Sequence, residues 1–268
     1  SSALGKKLPV VGKLIGNYYQ GLEKRLVRSS DEVILISEDF LPLMGEWDIA
    51  QEKIHIIPNW APVDQIKPQP HDNPWAKNAG LADTFNFLYT GILGLKHDPT
   101  IFIQLAEHFR NDQDVRVVVV SKGDRFEWLD LEVERRGLKN LVLLEFQPPE
   151  VYPQVLGAGD VLVSVINEDA GVYSVPSKVL SYLCAERPIL LSLPSENAAA
   201  KIVREAGAGL TSSPNDLPGF LHKARRLYED GELRYNSGKS GRAYAEAKFD
   251  IKEINRQFED IISDRKNA

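Results

Sequence analysis

Val161-Leu162-Val163-Ser164-Val165-Ile166 is an almost unbroken apolar run, followed by a loop and then by Val179-Leu180-Ser181-Tyr182-Leu183-Cys184-Ala185. The first run has the length and branching of a strand buried on both faces, and the second has helical spacing. Between them lies Gly171-Val172-Tyr173-Ser174-Val175-Pro176-Ser177-Lys178. A strand end, a loop with Gly and Pro, and a helix start are thus in series. In open α/β sheets ligands sit just beyond the carboxyl ends of the strands. The free N–H groups of a helix start suit an anion, and Lys178 adds a fixed positive charge.

Outward from this stretch the same alternation repeats. Strands are predicted at 85–89, 115–120, 141–145, 161–166, 189–193 and 209–212. Helices are predicted at 99–109, 127–136, 150–156, 178–184, 196–205 and 217–228. Strands alternating with helices give a doubly wound parallel sheet covered on both faces, an α/β, Rossmann-like fold. Two further helices, about 231–247 and 251–263, end the chain. Upstream, a helical stripe over 17–30 leads to strands at 32–37 and 53–57, with a short helix at 38–45 between them. That is too little for a core of its own. Pro58, Pro62, Pro68, Pro70 and Pro74 fall within seventeen residues, which predicts a stiff, extended connection and not a core element. The expected division is a partial α/β segment at 1–57, a linker at 58–75, a complete domain at 76–249, and a terminal helix at 250–268 that crosses back to the first part.

Composition excludes several classes. Hydrophobic residues make up 43% of the 268 and charged residues 26%, ordinary for a globular protein. A net charge of −6 gives no whole-protein field for nucleic acid. The single cysteine, Cys184, rules out a disulfide framework and a Cys-cluster metal site, and its apolar helix marks it as a buried structural thiol. No apolar run approaches the ~20 residues of a membrane span. The chain starts without Met or a signal-peptide pattern, which leads us to expect a longer functional protein.

Four loops could carry chemistry, and all follow a strand, so all fall on one rim of the sheet. Gly91-Ile92-Leu93-Gly94-Leu95-Lys96 follows the 85–89 strand. Its glycines let backbone approach a ligand, and Lys96 can reach a phosphate. It is neither a P-loop nor the three-glycine dinucleotide fingerprint, and the plain alternative is a βα turn with a solvated lysine. Ser121-Lys122-Gly123-Asp124 follows the next strand, with Lys122 facing a phosphate, a base or water. Phe146-Gln147-Pro148 follows the third; Phe146 could stack on a base or pack in the core. Glu168, Asp169 and Lys178 put both signs of charge beyond the fourth. The five histidines lack metal-site spacing, and no Ser-His-Asp order or nucleophile elbow occurs.

With these residues in place, about residues 54–263 resemble a GT-B glycosyltransferase of the family 4 ("group 1") type, chiefly its C-terminal nucleotide-sugar-binding domain. Ile56-Ile57-Pro58-Asn59-Trp60 resembles the segment that ends the family's N-terminal domain. Tyr89-Thr90-Gly91 with Lys96 resembles its diphosphate-gripping loop. Leu156 to Leu162, with Ala158 and Asp160, is similar to the opening of its fourth strand. Arg187-Pro188-Ile189-Leu190 is similar to its Gly-x-Pro turn, Gly207 and Gly209 to its later glycine pair, and Ser237-Gly238 through Phe249 to its tail. The family usually carries Glu-x7-Glu before that turn; here those positions are Tyr173 and Ser181, and Ile92 stands where an arginine often follows the loop glycine. Pro176-Ser177-Lys178 resembles instead a subgroup that makes cell-envelope and capsular polysaccharides.

The resemblance implies transfer of a sugar from a nucleotide diphosphate, UDP-linked, to an acceptor hydroxyl in polysaccharide or glycoconjugate synthesis, with retention of configuration. Lys96 and Lys178 would serve catalysis. Donor contacts would come from Gly91, Gly94, Lys96, Lys122, Gly123, Phe146, Gln147, Ser174, Val175, Pro176, Ser177 and Lys178. No metal or other cofactor is implied, because lysines and helix starts hold the diphosphate. The sugar or lipid-linked acceptor would bind an N-terminal domain outside this sequence, so this chain alone would hold donor without turnover. The expected location is cytoplasmic, with the full-length protein peripheral at the inner face of the membrane. Two alternatives stand beside this: a nucleotide-sugar epimerase of the same architecture, using Glu168, Asp169 or His97, and a non-catalytic nucleotide-binding domain.

Overall fold

The computed structural model describes residues 9–94, 97–168 and 177–266. They fall into two compact units. One runs to Asn59 and resumes at Gln257; the other is Trp60–Arg256.

In the smaller unit, helix α1 (Pro9–Ser29) precedes strand β1 (Val33–Leu35). It begins before the stripe that predicted it, on a proline, which fits a first helical turn because its missing N–H has no partner there anyway. A 3-10 turn (Glu38–Phe40) and helix α2 (Leu41–Glu46) lead to β2 (Ile54–Ile56), which pairs in parallel with β1, Val33 opposite Ile54. Val33, Leu35, Met44 and Trp47 form its small core. Arg28 donates from Nε to the Trp47 carbonyl (2.8 Å) and pairs with Asp48.

The larger unit opens with helix α3 (Pro74–Asn78). It continues β3 (Phe85–Thr90), α4 (Thr100–His108), β4 (Val115–Ser121), α5 (Asp124–Arg136), β5 (Leu141–Glu145), α6 (Tyr152–Gly157) and β6 (Val161–Val165). It then runs through α7 (Ser177–Cys184), β7 (Ile189–Ser192), α8 (Ala198–Glu205), β8 (Gly209–Ser212), α9 (Leu217–Glu229) and α10 (Gly231–Lys248); α11 (Ile251–Lys266) follows. The six strands pair in parallel in the order β5-β4-β3-β6-β7-β8. The predicted α/β class therefore holds, because the apolar runs are strands covered on both faces. Alternate residues of one strand serve opposite layers. Phe87 and Tyr89 of β3 pack with Ile101, Phe102, Leu105, Leu129 and Phe220 of α4, α5 and α9. Leu88, between them, packs on the other side with Val155, Leu183, Ala199 and Ala245 of α6, α7, α8 and α10.

The strand order fixes where a ligand can go. From β3 the chain steps outward to β4 and β5, then returns to place β6 against the other edge of β3. The helices that follow these two strands, α4 and α7, pack in opposite layers of the sheet, which makes the carboxyl ends of β3 and β6 the topological switch point, where such sheets bind ligands in a crevice. At the opposite end the two strands are tied together. Asp160, just before β6, accepts the Asn86 N–H (2.8 Å) and pairs with His71 (3.1 Å). His71 is thus a positioned partner of Asp160.

The proline-rich stretch does not stay out of the core. Ala61, Val63 and Ile66 are buried in the α7-side layer, and buried Arg242 of α10 donates to the carbonyls of Val63 (3.0 Å) and Ile66 (2.7 Å). Proline fixes φ and removes a donor, yet it leaves neighbouring side chains free to pack. The Asn73 side chain then caps α3 by accepting the Ala76 N–H (3.0 Å). Cys184 is buried, and burial pushes its thiol up to about 11, which matches a structural thiol.

Candidate functional site

The crevice between β3 and β6 is built from three local choices. The first is Gly91, which follows β3 at φ +132, a conformation that L side chains rarely adopt. Its N–H donates to the Val120 carbonyl (3.1 Å), and its carbonyl accepts from the Ser121 hydroxyl (2.7 Å). The same hydroxyl accepts the Leu93 N–H (3.2 Å). Ser121, fully buried at the end of β4, therefore clamps the loop at both ends.

The second is Lys178, the second residue of α7. Its ammonium donates to the Tyr89 hydroxyl (2.8 Å) and lies 4.0 Å from the centre of that ring. A Cβ added to Gly91 would stand 2.9 Å from Lys178 Nζ, so the glycine is what lets the lysine lie against the backbone. No carboxylate pairs with Lys178 among the described residues. Burial without a counter-charge lowers its pKa to about 7, since the charged form loses water and gains only a neutral phenol and a ring face. The Tyr89 hydroxyl is also desolvated and held in its protonated form. It donates onward to the Ile92 carbonyl (3.3 Å).

The third is Tyr182, one helical turn after Lys178 and on the same face of α7. Its hydroxyl accepts the Thr90 N–H (3.1 Å) and lies 3.3 Å from the carbonyls of Thr90 and Val163. It pins α7 to both strands at the switch point and sets where Lys178 can reach.

The loops after β4 and β5 also meet. Lys122 Nζ lies 4.9 Å from the centre of the Phe146 ring. Phe146 is 48% exposed; its ring is not in the core. Gly123, at φ +102, is the N-cap of α5, and a Cβ added to it would stand 4.0 Å from the Leu93 carbonyl. Gln147 is already engaged: its carbonyl accepts from Trp75 Nε1 (3.0 Å) and its amide donates to the Glu145 carbonyl (2.8 Å). Gly94 is engaged too. Its N–H donates to His97 Nδ1 (3.2 Å) and its carbonyl accepts the His97 N–H (3.0 Å), so that N–H is turned into the loop, away from any ligand. Ser177 is the exposed first residue of α7. Lys96, Asp169, Ser174, Val175 and Pro176 lie outside the described residues.

Tyr89, Ser121 and Tyr182 support the crevice, and the sequence assigned none of them a role. Tyr89 and Ser121 lay inside stretches singled out for other residues, and Tyr182 carried only its spacing of four from Lys178.

Residues 84–230 match the family described as Glycosyl transferases group 1. The chain belongs to that family. Among relatives of this chain is the alpha-D-kanosaminyltransferase of Streptomyces kanamyceticus, 22% identical over 236 residues, covering 85% of this chain and 59% of that protein. The Anabaena protein HepE, solved in complex with UDP, superposes with a TM-score of 0.77 at 18% identity, over 89% of this chain and 65% of that one. WaaG, a glycosyltransferase involved in lipopolysaccharide biosynthesis, gives 0.71 at 17% identity, over 92% and 67%. At these identities the superpositions show the GT-B fold. The chain spans 59% of the kanosaminyltransferase and 65% of HepE.

Proposed function

We propose that this chain is the donor-binding part of a glycosyltransferase that moves a sugar from a nucleotide diphosphate, UDP-linked, to an acceptor hydroxyl. One observation carries the reading: at the switch point of the sheet, a largely desolvated ammonium with no carboxylate partner among the described residues lies against a glycine backbone. A buried cation is costly until an anion joins it. A diphosphate supplies that anion, and gains charge when the bond from sugar carbon to diphosphate oxygen breaks. Lys178 then stabilises the leaving group in the transition state. Lys96 is proposed as its partner on the Gly91 loop, with Phe146 and Lys122 at the base end. Lys178 and the Ser177 region take the place of the Glu-x7-Glu pair, which is Tyr173 and Ser181 here. The reaction retains configuration, needs no metal, and serves polysaccharide or glycoconjugate synthesis. The choice of UDP is supported by HepE, which is known in complex with UDP and with UDP-glucose.

The acceptor belongs to the part of the relatives that this chain does not span, so the chain by itself should bind donor without turnover. Among the described residues no helix is long and apolar enough to cross a membrane; peripheral association of the longer protein is part of the proposal. The epimerase alternative has no carboxylate beside Lys178 among the described residues, and Glu168 is turned to Asn215. Calorimetry with UDP tests the reading. Saturable binding that Lys178→Met weakens supports it, and absence of any heat from wild-type chain at millimolar UDP overturns it.

A further inference from the structure

Trp75 closes the stretch expected to be a connection, yet its indole reaches the loop after β5. It is half-buried in the first turn of α3 and packs against the α7-side layer, as Val151 and Tyr152 do. Its Nε1 donates to Gln147 Oε1 (3.0 Å), and Gln147 Nε2 donates to the Glu145 carbonyl (2.8 Å). An indole N–H only donates. It therefore dictates which end of the Gln147 amide faces it, and leaves the amide NH2 for the backbone. The first turn of α3 is itself fixed on α6. The Trp75 N–H donates to Gln154 Oε1 (3.2 Å), and Asn73 Nδ2 donates to the carbonyls of Gln154 and Pro70 (2.9 Å each).

The loop that Trp75 grips carries the exposed ring. Phe146 immediately precedes Gln147, is 48% exposed, and has Lys122 Nζ 4.9 Å from its ring centre. Pro148 and Pro149 follow. Neither has an N–H, so neither ties this loop to the rest of the unit by donating; the Gln147 amide makes that tie. The place of the Phe146 ring thus follows from where Gln147 is held. Both polar ends of Gln147 are engaged within the protein, so its side chain reads a base edge only by giving up one of these bonds. A flat, exposed ring stacks on any base.

We propose that Trp75 is a positioning residue for the base end of the donor site: acting through Gln147, it holds the Phe146 ring where a base stacks. This rests on the donor reading given above. Calorimetry of the whole chain with UDP and with inorganic pyrophosphate tests it, in Trp75→Phe, Phe146→Ala and the double variant. Trp75→Phe keeps an aromatic ring and removes the Nε1–H donor. It should weaken UDP about threefold to tenfold, the range of one neutral hydrogen bond. It should leave pyrophosphate affinity unchanged, and should have no further effect once Phe146 is replaced by alanine. A merely structural role would weaken both ligands, or would add in full to the loss in Phe146→Ala. Gln147→Met removes the same bond from the other side; it should repeat the pattern, and it replaces Trp75→Phe in the cycle if circular dichroism shows that variant unfolded. Unchanged UDP affinity in the folded variant, an equal loss of pyrophosphate, or a loss that persists in full without Phe146 each overturns this role and leaves the donor reading in place. Wild-type chain that binds no UDP removes the donor reading and this role with it.

Discussion

Replacing Lys178 by Met should make the protein more stable and a poorer UDP binder at once. The gap between its lowered pKa, about 7, and the ordinary 10.5 corresponds to about 5 kcal/mol at 1.36 kcal/mol per unit. That is an upper bound on what desolvation costs the folded state at neutral pH. The sign follows from which state holds the proton more tightly. The unfolded lysine keeps its proton to about 10.5 and the folded one only to about 7. Wild-type stability should therefore rise with pH between about 7 and 10.5, and be flat with respect to this group below 7. Methionine fills similar volume without a charge, so the variant loses that slope and gains stability at pH 7. Binding moves the opposite way. A diphosphate on the ammonium restores its charge, so above pH 7 the wild type should take up a substantial fraction of a proton per UDP, since much of the free lysine is then neutral. UDP affinity should fall about tenfold per pH unit above 7 until the pKa of the bound lysine is reached. Loss of the charge-assisted bonds in Lys178→Met should weaken UDP by about 1.5–3 kcal/mol. Urea denaturation at pH 6.5 and 9.5, with calorimetry in buffers of different ionisation heat, measures all of this. A variant no more stable than wild type, with unchanged UDP affinity and no proton uptake in the wild type, would refute the reasoning.

Three further outcomes are expected. Gly91→Ala forces a side chain into φ +132 and to 2.9 Å from Lys178 Nζ; it should cost about 1–3 kcal/mol of stability and weaken UDP, read by urea denaturation and calorimetry. Phe146→Ala should cost about 1–3 kcal/mol of UDP binding, the worth of stacking a base on an aromatic ring. It should leave inorganic pyrophosphate binding unchanged, because the ring is exposed and is assigned to the base and not to the diphosphate. The hydrogen bond to Asp160 raises the pKa of His71, so its contribution is complete below the unfolded value near 6.5 and is lost as pH rises through the folded value. His71→Asn should therefore lower the melting temperature at pH 6 and much less at pH 8.5, and an equal drop at both would count against the ion pair.

The alternation of apolar runs and periodic helices was legible because each run carries its own signature. Val115–Val120 is six apolar or Arg-interrupted positions that suit nothing but a strand covered on both faces. The proline-rich stretch misled because breaker residues advertise a connection while saying nothing about their neighbours. Ala61, Val63 and Ile66 are core residues, and the carbonyls of Val63 and Ile66 accept from Arg242, far along the chain. Phe146 had two open roles by sequence, and only the tertiary structure removed core packing, by leaving the ring exposed with Lys122 over it.

By itself, then, the sequence determined the parallel α/β sheet and put Gly91, Lys122, Phe146 and Lys178 on one rim, because every βα loop leaves a strand at its carboxyl end. Tertiary structure alone decided that Lys178 meets Tyr89 and Gly91, that Ser121 and Tyr182 hold them there, and that Gly94 turns its N–H away. The reason is physical. Periodicity is a property of neighbours along the chain, whereas the strand order that joins β3 to β6, and the loss of water that resets a lysine's proton affinity, are properties of groups brought together across it.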